Sequence, residues 1–419
     1  MAKNPTQPPK GFRDFLPQKM RLRQYVLDVC RQVFESFGFE PLATPAVEYA
    51  STLLNKYGQE ADRLVYTFKD RGGRQLGLRY DLTVPVSRVL AQYRQQLTLP
   101  FKRYQIQPVW RAEKPQRGRF REFIQCDADI FGISSPLADA EVVALIYTLL
   151  KRLNLKNFVI QINSRQVLFT LLKAVGISET SQQLSVLQTI DKLEKQGKTK
   201  VVAELKEKGL SSTTVDQLFK TLSQTQPDAN LKKLFDYLKD FGVPSRYYRF
   251  TPTLVRGLDY YTGPIFETVL PDVGLGSITG GGRYDRLVAQ LGGPDTPATG
   301  TTIGFDRLCQ LIEEQNLLPS LPAATSQILI AAFPQTLSFA LQLTSQLRNQ
   351  KVNCELYLDL QAKLQKQLKY ANRKKIPWVI IAGPDEVKKN QVILKNMATG
   401  QQQTLSSEKL VPKILNSKF

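Results

Sequence analysis

The sequence predicts a protein of mixed α/β class. Its first part is an α+β domain with an antiparallel sheet flanked by helices and a helical insertion within it, and a separate C-terminal α/β domain follows. Three observations carry this expectation. Residues 103–111 and 123–130 alternate polar and apolar side chains as paired strands do. Residues from about 166 to 241 are rich in Leu, Lys, Gln and Glu at helical spacing and lack strand-like alternation. Beyond prolines at positions 319 and 322, short apolar runs are separated by helical ones.

Taken in order, Tyr25, Val26, Val29, Cys30, Val33, Phe34 and Phe37 recur at helical spacing and stop at Gly38, a C-terminal helix signal. Residues 64–68 and 76–78, with a turn at 70–73, predict a hairpin. Arg103, Gln105, Gln107, Val109 and Arg111 then fall on one strand face, opposite Tyr104, Ile106, Pro108 and Trp110. In the next strand Phe123, Gln125, Asp127 and Asp129 alternate with Ile124, Cys126, Ala128 and Ile130, so one face is apolar and the other carries an amide and carboxylates. Antiparallel pairing of the two brings Arg and Asp onto neighbouring positions, with residues 112–119, which hold Pro115 and Gly118, as a loop. Strand-like runs resume at 256–270 and 276–279, and a helix is expected at 306–314. After a linker at the two prolines, strands are expected at 328–333, 352–358, 378–382 and 392–394, with a helix at 337–348.

Composition limits the chemistry. At about 150 residues per domain, 419 residues imply two or three domains. With 42% hydrophobic and 9% aromatic residues the chain can bury sizeable cores, which argues against disorder and predicts a water-soluble globular protein. There is no histidine, which excludes a Ser-His-Asp triad, a Cys-His pair and His-ligated zinc. Catalysis must rest on charge, positioning and metal. Cys30, Cys126, Cys309 and Cys354 form no CxxC pair, which argues against a disulfide framework or a Cys-rich metal site and fits a reducing cytoplasm. The first 18 residues hold no apolar run and no 18-residue apolar stretch occurs anywhere, so neither export nor a membrane partner is expected. A net charge of +20 favours a polyanionic partner, nucleic acid first, although lysine-rich solubility gives the same balance. Residues 325–419 carry 14 Lys and Arg against 5 Asp and Glu, so the C-terminal domain is basic by itself.

Asp81, Arg111, Glu113, Arg119, Arg121, Gln125, Asp129, Arg256, Tyr260, Tyr261, Tyr284 and Arg307, taken singly, read as surface ion pairs and packing residues of little energetic weight. Their surrounding strings set them apart. Lys10-Gly11-Phe12-Arg13-Asp14-Phe15-Leu16-Pro17 with Gly38-Phe39-Glu40-Pro41 and Thr44-Pro45 resembles motif 1 of the class II aminoacyl-tRNA synthetases, a dimer-forming element. The string from Trp110-Arg111-Ala112-Glu113-Lys114-Pro115 through Gln116-Arg117-Gly118-Arg119-Phe120-Arg121-Glu122-Phe123 resembles motif 2, and Thr302-Ile303-Gly304-Phe305-Asp306-Arg307-Leu308 resembles motif 3. Leu254-Val255-Arg256-Gly257-Leu258-Asp259-Tyr260-Tyr261-Thr262-Gly263 and Gly280-Gly281-Gly282-Arg283-Tyr284-Asp285 resemble signatures of the histidyl-tRNA synthetase family, and the resemblance covers nearly the whole chain. Leu78-Arg79-Tyr80-Asp81-Leu82-Thr83 and Gln125-Cys126-Asp127-Ala128-Asp129 resemble a form of the family's pocket that uses Asp where other members carry Glu.

The resemblance implies ATP-dependent ligation of L-histidine to tRNA(His) through a histidyl-adenylate, by a cytoplasmic homodimer. ATP would be a substrate accompanied by Mg²⁺, with no tightly bound protein metal. It implies a catalytic core over residues 1–165 and 242–318, a helical insertion over 166–241 and an anticodon-binding domain over 325–419. Arg111, Arg256 and Arg307 would be catalytic; Asp81, Thr83, Gln125, Asp129, Tyr261 and Tyr284 would bind histidine; Arg111, Glu113, Arg119, Arg121 and Arg307 would bind ATP; Lys114, Gln116 and Arg117 would meet the tRNA acceptor end. Tyr260 reads as a packing residue, and solvation is an alternative for Asp127.

The chemistry suits such a set. The amino acid's carboxylate, ionised at neutral pH with a pKa of about 3.5, needs no base to attack the α-phosphorus, so the barrier is the meeting of two anions. Preorganised guanidinium groups lower it, because they stay charged and bond bidentately. In the transfer step a phosphate oxygen of the adenylate is the expected base, since no histidine side chain is present. The chain departs from the pattern at Asp306, where many members have Glu, and at Ala112 and Ile124, where others often have His; none of these removes a needed charge. Two rivals are a regulatory subunit of ATP phosphoribosyltransferase, which shares the catalytic fold but typically lacks the C-terminal domain and the arginine string, and a non-catalytic basic RNA-binding protein.

Overall fold

The computed structural model describes residues 6–54, 63–116, 118–256, 260–271, 273–274, 276–317 and 321–416. The chain forms two compact units, Met1–Leu318 and Pro319–Phe419. The expected linker falls at this division and partly outside the described residues.

In the first unit, helix α1 (Pro17–Ser36) opens with proline at its first turn and buries Leu22, Val26, Cys30 and Val33 along one stripe. It ends before Gly38, whose φ of 76° is the left-handed value that glycine adopts without strain. Short strands β1 (Glu40–Pro41) and β2 (Val47–Tyr49) follow, then the expected hairpin as β3 (Tyr66–Lys69) and β4 (Gln75–Leu78). The small sheet has the order β2-β4-β3. Helix α2 (Thr83–Tyr93) leads into the two long strands, β5 (Phe101–Trp110) and β6 (Glu122–Phe131), and helix α3 (Pro136–Arg152) leads into β7 (Val159–Ser164). Helices α4 (Arg165–Ala174), α5 (Thr180–Ile190), α6 (Lys198–Glu207), α7 (Ser212–Gln224) and α8 (Ala229–Asp240) occupy the region that the sequence marks as helical. Strands β8 (Tyr248–Phe250), β9 (Pro264–Val269), β10 (Thr279–Arg283) and β11 (Ala298–Gly304) complete the large sheet before helix α9 (Phe305–Glu314).

The eight-stranded sheet has the order β1-β5-β6-β11-β10-β9-β7-β8. Every pair from β5 to β7 is antiparallel and the two edge pairs are parallel. One face is apolar: Tyr104, Cys126, Ala128, Ile130, Ile162, Phe266 and Ile303 join a single core with buried residues of α1, α3, α8 and α9. Each large aliphatic or aromatic side chain enclosed there contributes about 1.5–3 kcal/mol. Leu231, Leu234 and Leu238 of α8 belong to this core, whereas apolar residues of α4 to α7 pack with the residues that frame the opposite face. With its back covered by helices, the sheet turns its polar face to the site.

Two strands differ from their sequence expectation. The run at 256–270 becomes a strand only at Pro264: before the undescribed residues 257–259 Leu254 N donates locally to Thr251 O, and after them Thr262 N donates to Arg283 O. The run at 276–279 instead starts at Thr279 and continues through three glycines to Arg283, since ladders to β9 and β11 on both sides supply what glycine's own propensity does not.

The second unit is a five-stranded sheet, β13-β12-β14-β15-β16, of β12 (Ile328–Ala331), β13 (Cys354–Leu356), β14 (Trp378–Ile381), β15 (Gln391–Asn396) and β16 (Gln402–Ser406). Helices α10 (Leu337–Asn349), α11 (Leu364–Lys374) and α12 (Ser407–Asn416) complete it. Strand β16, with sequence Gln-Gln-Thr-Leu-Ser, is a polar edge strand that no hydrophobic pattern announces. No described helix is long and apolar enough to cross a membrane.

Candidate active site

The register of the large sheet assembles the site. Arg103 on β5 faces Asp129 on β6, which faces Gly300 on β11, which faces Gly282 on β10. The next row on the same face is Gln105, Asp127, Thr302, Gly280 and Glu267, and the row beyond contains Gln107, Gln125 and Gly304. The middle of this face therefore has a floor of glycines, Gly280, Gly282 and Gly300, beside the short Thr302. A β-carbon at Gly280 would collide with the Arg256 guanidinium, and one at Gly300 with the Asp129 carboxylate. Glycine is required here because functional groups lie flat on the backbone.

At one end stand the carboxylates. Asp129 is enclosed on all sides: its Oδ1 accepts from the Tyr284 hydroxyl, and its Oδ2 lies 2.5 Å from Arg103 Nη2. Asp127 is 2% exposed, which corrects the solvated alternative. Burial, opposed by Arg103 and reinforced by Asp129 and Asp81, pushes the Asp127 carboxyl up to about 7. Burial also raises Asp129, against the pull of Arg103 and Tyr284. Asp81 precedes α2 and accepts from Val84 N at 3.2 Å, so the first turn of the helix fixes it, and Thr83 is that helix's first residue. Gln125 Nε2 donates to Thr302 Oγ1 at 3.1 Å, while its buried Oε1 accepts no hydrogen bond. Tyr261 stacks against Tyr260, with centroids 4.4 Å apart and a hydroxyl-to-hydroxyl bond of 3.1 Å, and Tyr260 meets Tyr284 edge-on.

At the other end stand the arginines. Arg256 approaches Glu267 at 3.5 Å, and its segment is pinned by Asn163 donating to Leu254 O and Arg165 donating to Arg256 O. Arg111 donates from Nε to Tyr80 O and lies over the Phe123 ring. Arg307 donates to Gly118 O and Ser277 O. Its pKa is lowered by burial and by the neighbouring Arg119 and Arg111, against the opposing pull of Glu267 and Glu113. Arg119 pairs with Glu113 at 3.4 Å, and Arg121 donates to Glu113 O and Lys10 O, tying the loop to the N-terminal segment. Asp306 accepts from Arg13, Arg23 and Ile124 N, so it braces the helix start beside Arg307. Lys114 and Gln116 are exposed on the same loop. Arg117 lies outside the described residues, as do Gly257, Leu258 and Asp259 of the signature string.

Sequence reasoning passes over Arg103, Thr302, Glu267 and Arg79. Arg79 is a buried brace that donates to Thr44 O, Pro45 O, Pro108 O and Gln107. The signal for Arg103 lay in the strand alternation, which put it on the face of the aspartates.

The arrangement offers an enclosed anionic end for an ammonium and N–H groups, a flat floor, and a cationic end for phosphates. From Gln125 to Asp129 the strand rises roughly 13 Å, enough to lay out an amino acid joined to a nucleotide. The profile of the family described as histidyl-tRNA synthetase matches residues 11–308, and that of an anticodon binding domain matches residues 327–417. A histidine–tRNA ligase of Cytophaga hutchinsonii is 38% identical, covering 97% of this chain and 99% of its own, and one of Gloeobacter violaceus is 39% identical, covering 94% and 95%. The crystal structure of histidyl-tRNA synthetase from Nostoc superposes with a TM-score of 0.84 at 31% identity, covering 99% of both chains.

Proposed function

The chain belongs to the histidyl-tRNA synthetase family, and from that premise we propose how its own residues perform the family's reaction. The enzyme ligates L-histidine to tRNA(His) with ATP as substrate, through histidyl-adenylate. Histidine lies with its ammonium and imidazole among Asp81, Thr83, Gln125, Asp129, Tyr261 and Tyr284. Its carboxylate reaches over the glycine floor toward Arg256 and Arg111. Those two guanidiniums hold the α-phosphate and the attacking carboxylate, and Arg307 takes the γ-phosphate, exchanging the carbonyls of Gly118 and Ser277 for a charged acceptor. Glu113, Arg119 and Arg121 complete the nucleotide side. Glu113 and Glu267, near Arg307, are hard oxygen donors that would suit Mg²⁺, which would supply positive charge to the phosphates of ATP. Lys114, Gln116 and Arg117 meet the acceptor end, and residues 325–419 bind the anticodon region. In this reading residues 1–165 and 242–318 form the catalytic core, with 166–241 as an insertion.

The observation that carries the reading is the pairing of buried carboxylates and gathered arginines on one sheet face across a floor of glycines. We propose a homodimer as well, supported by Val47, Tyr49 and Phe68, which leave apolar surface exposed on the small sheet. A cytoplasmic location is supported by four cysteines that are all free. The test is exchange of pyrophosphate into ATP by the full chain. Exchange is expected to depend on histidine, and a folded protein that shows none with histidine, ATP and Mg²⁺ would overturn the assignment of the site.

A further inference from the structure

Arg103 has no role in the account above, yet its side chain is completely buried on the site face. A buried guanidinium is costly unless its donors are filled. Arg283, in the same unit, shows what filling looks like. It donates twice to Asp139 and also to Ile133 O, Ser135 O and Asp285. Arg103 donates only from Nη1 to Gln105, at 3.2 Å. Its Nη2 lies 2.5 Å from Asp129 Oδ2 but off the line of a hydrogen bond, and among the described residues neither Nε, Nη2 nor Asp129 Oδ2 has a hydrogen-bond partner. This pair is far from saturated, although it is buried on the face that carries the other carboxylates.

We propose that Arg103 is a positioning residue for amino-acid binding: its guanidinium, against Asp129 Oδ2, holds that carboxylate as an anion in the place where it draws the substrate's cationic end. The proposal deepens the histidine-pocket reading and rests on Asp129 lying in that pocket. The charged and titratable groups around the pair are Asp127 on β6, Asp81 before α2, Tyr284 after β10, and Tyr260 with Tyr261 on the loop before β9; β11 contributes uncharged Gly300 and Thr302. All the acids among them disfavour a second negative charge. Arg103 and the Tyr284 hydroxyl are what favour ionised Asp129. Without the guanidinium, Asp129 should keep its proton to higher pH and lose its attraction for the substrate's cationic end.

The test measures KM for histidine and for ATP in pyrophosphate exchange from pH 6.5 to 8.5, on folded full-length wild type, R103M, R103K, D129A and R103M/D129A. R103M should raise the histidine KM about tenfold or more near neutrality while the ATP KM moves less than about twofold. The deficit should shrink as pH rises, R103K should restore most of the loss, and R103M should add little to D129A. R103Q, which keeps a donor without the charge, carries the same expectation if R103M does not fold. An unchanged histidine KM, an equal rise in both KM values, or a loss independent of pH would overturn the role of Arg103. If D129A itself moves both KM values equally, the placement of Asp129 fails instead.

Discussion

At one end of the glycine floor, Asp81, Asp127 and Asp129 are 6, 2 and 3% exposed and lie on or beside regular elements, with Arg103 and three tyrosines around them. At the other end, Arg111, Arg119, Arg256 and Arg307 sit at strand ends, on loops and on a helix start, half-buried or exposed, with carbonyls and glutamates as partners. The proposed function accounts for the difference by what each end would distinguish. An amino acid is told from its analogues by buried groups that a wrong ligand leaves unpaired, which suits an enclosed end. A polyphosphate is held by charge, which tolerates solvent and mobility, so that end can keep its cations on loops.

Removal of the central cation should break the comparison most sharply. Arg256→Ala is expected to lower kcat for adenylate formation about 10²–10³-fold while the protein stays folded, as circular dichroism would verify. Near-normal exchange would mean that Arg256 only braces Glu267.

Deletion of residues 325–419 leaves both ends in place. Histidine activation should persist, and tRNA charging should fall by more than about tenfold, with the full chain's tRNA affinity declining as salt rises. Aminoacylation assays at two salt concentrations would show this, and equal charging by both proteins would detach the domain from tRNA.

Asp139 offers the structural counterpart to Asp129. Its Oδ2 accepts two hydrogen bonds from Arg283, so Asp139→Ala strands a buried cation and should lower unfolding free energy by about 3–5 kcal/mol in denaturant titrations. A loss below about 1 kcal/mol would show that the Arg283–Asp139 pair carries little structural weight.

The smallest effect concerns pH. A carboxyl raised to about 7 holds its proton below that pH, so in the proposed pocket Asp127 should add to the attraction for the substrate ammonium fully only above it. In the free protein the sign is opposite: ionising Asp127 between its ordinary range and about 7 lowers stability. Histidine KM should therefore fall from about pH 6 to 8, and D127N, which retains the titration of the substrate's own imidazole near 6.5, should flatten that slope by roughly threefold. An identical slope in D127N would remove Asp127 from the pocket's charge balance.

Much of the carboxylate end was legible in the sequence, because β6 alternates an apolar and an acidic face and the strings around Asp81 and Tyr284 resemble a known family. The arginine end was legible as residue types but not as geometry: that Arg307 bonds Gly118 O depends on loop closure across 189 positions. Arg103 was visible on the correct face, yet its importance depends on the register Arg103 to Asp129, which no local pattern sets. Strand β10 escaped because glycine carries no hydropathy signal, and β7 and β8 because nothing in the preceding helices announces a return to the sheet.

The central claim is that the two ends divide the substrates between them. KM for histidine and for ATP, measured in pyrophosphate exchange on Asp129→Ala and Arg307→Ala, tests it directly. The account predicts a crossed result, with Asp129→Ala raising histidine KM by at least about tenfold and ATP KM by less than about twofold, and Arg307→Ala doing the reverse. Parallel changes in both constants for either variant would contradict it.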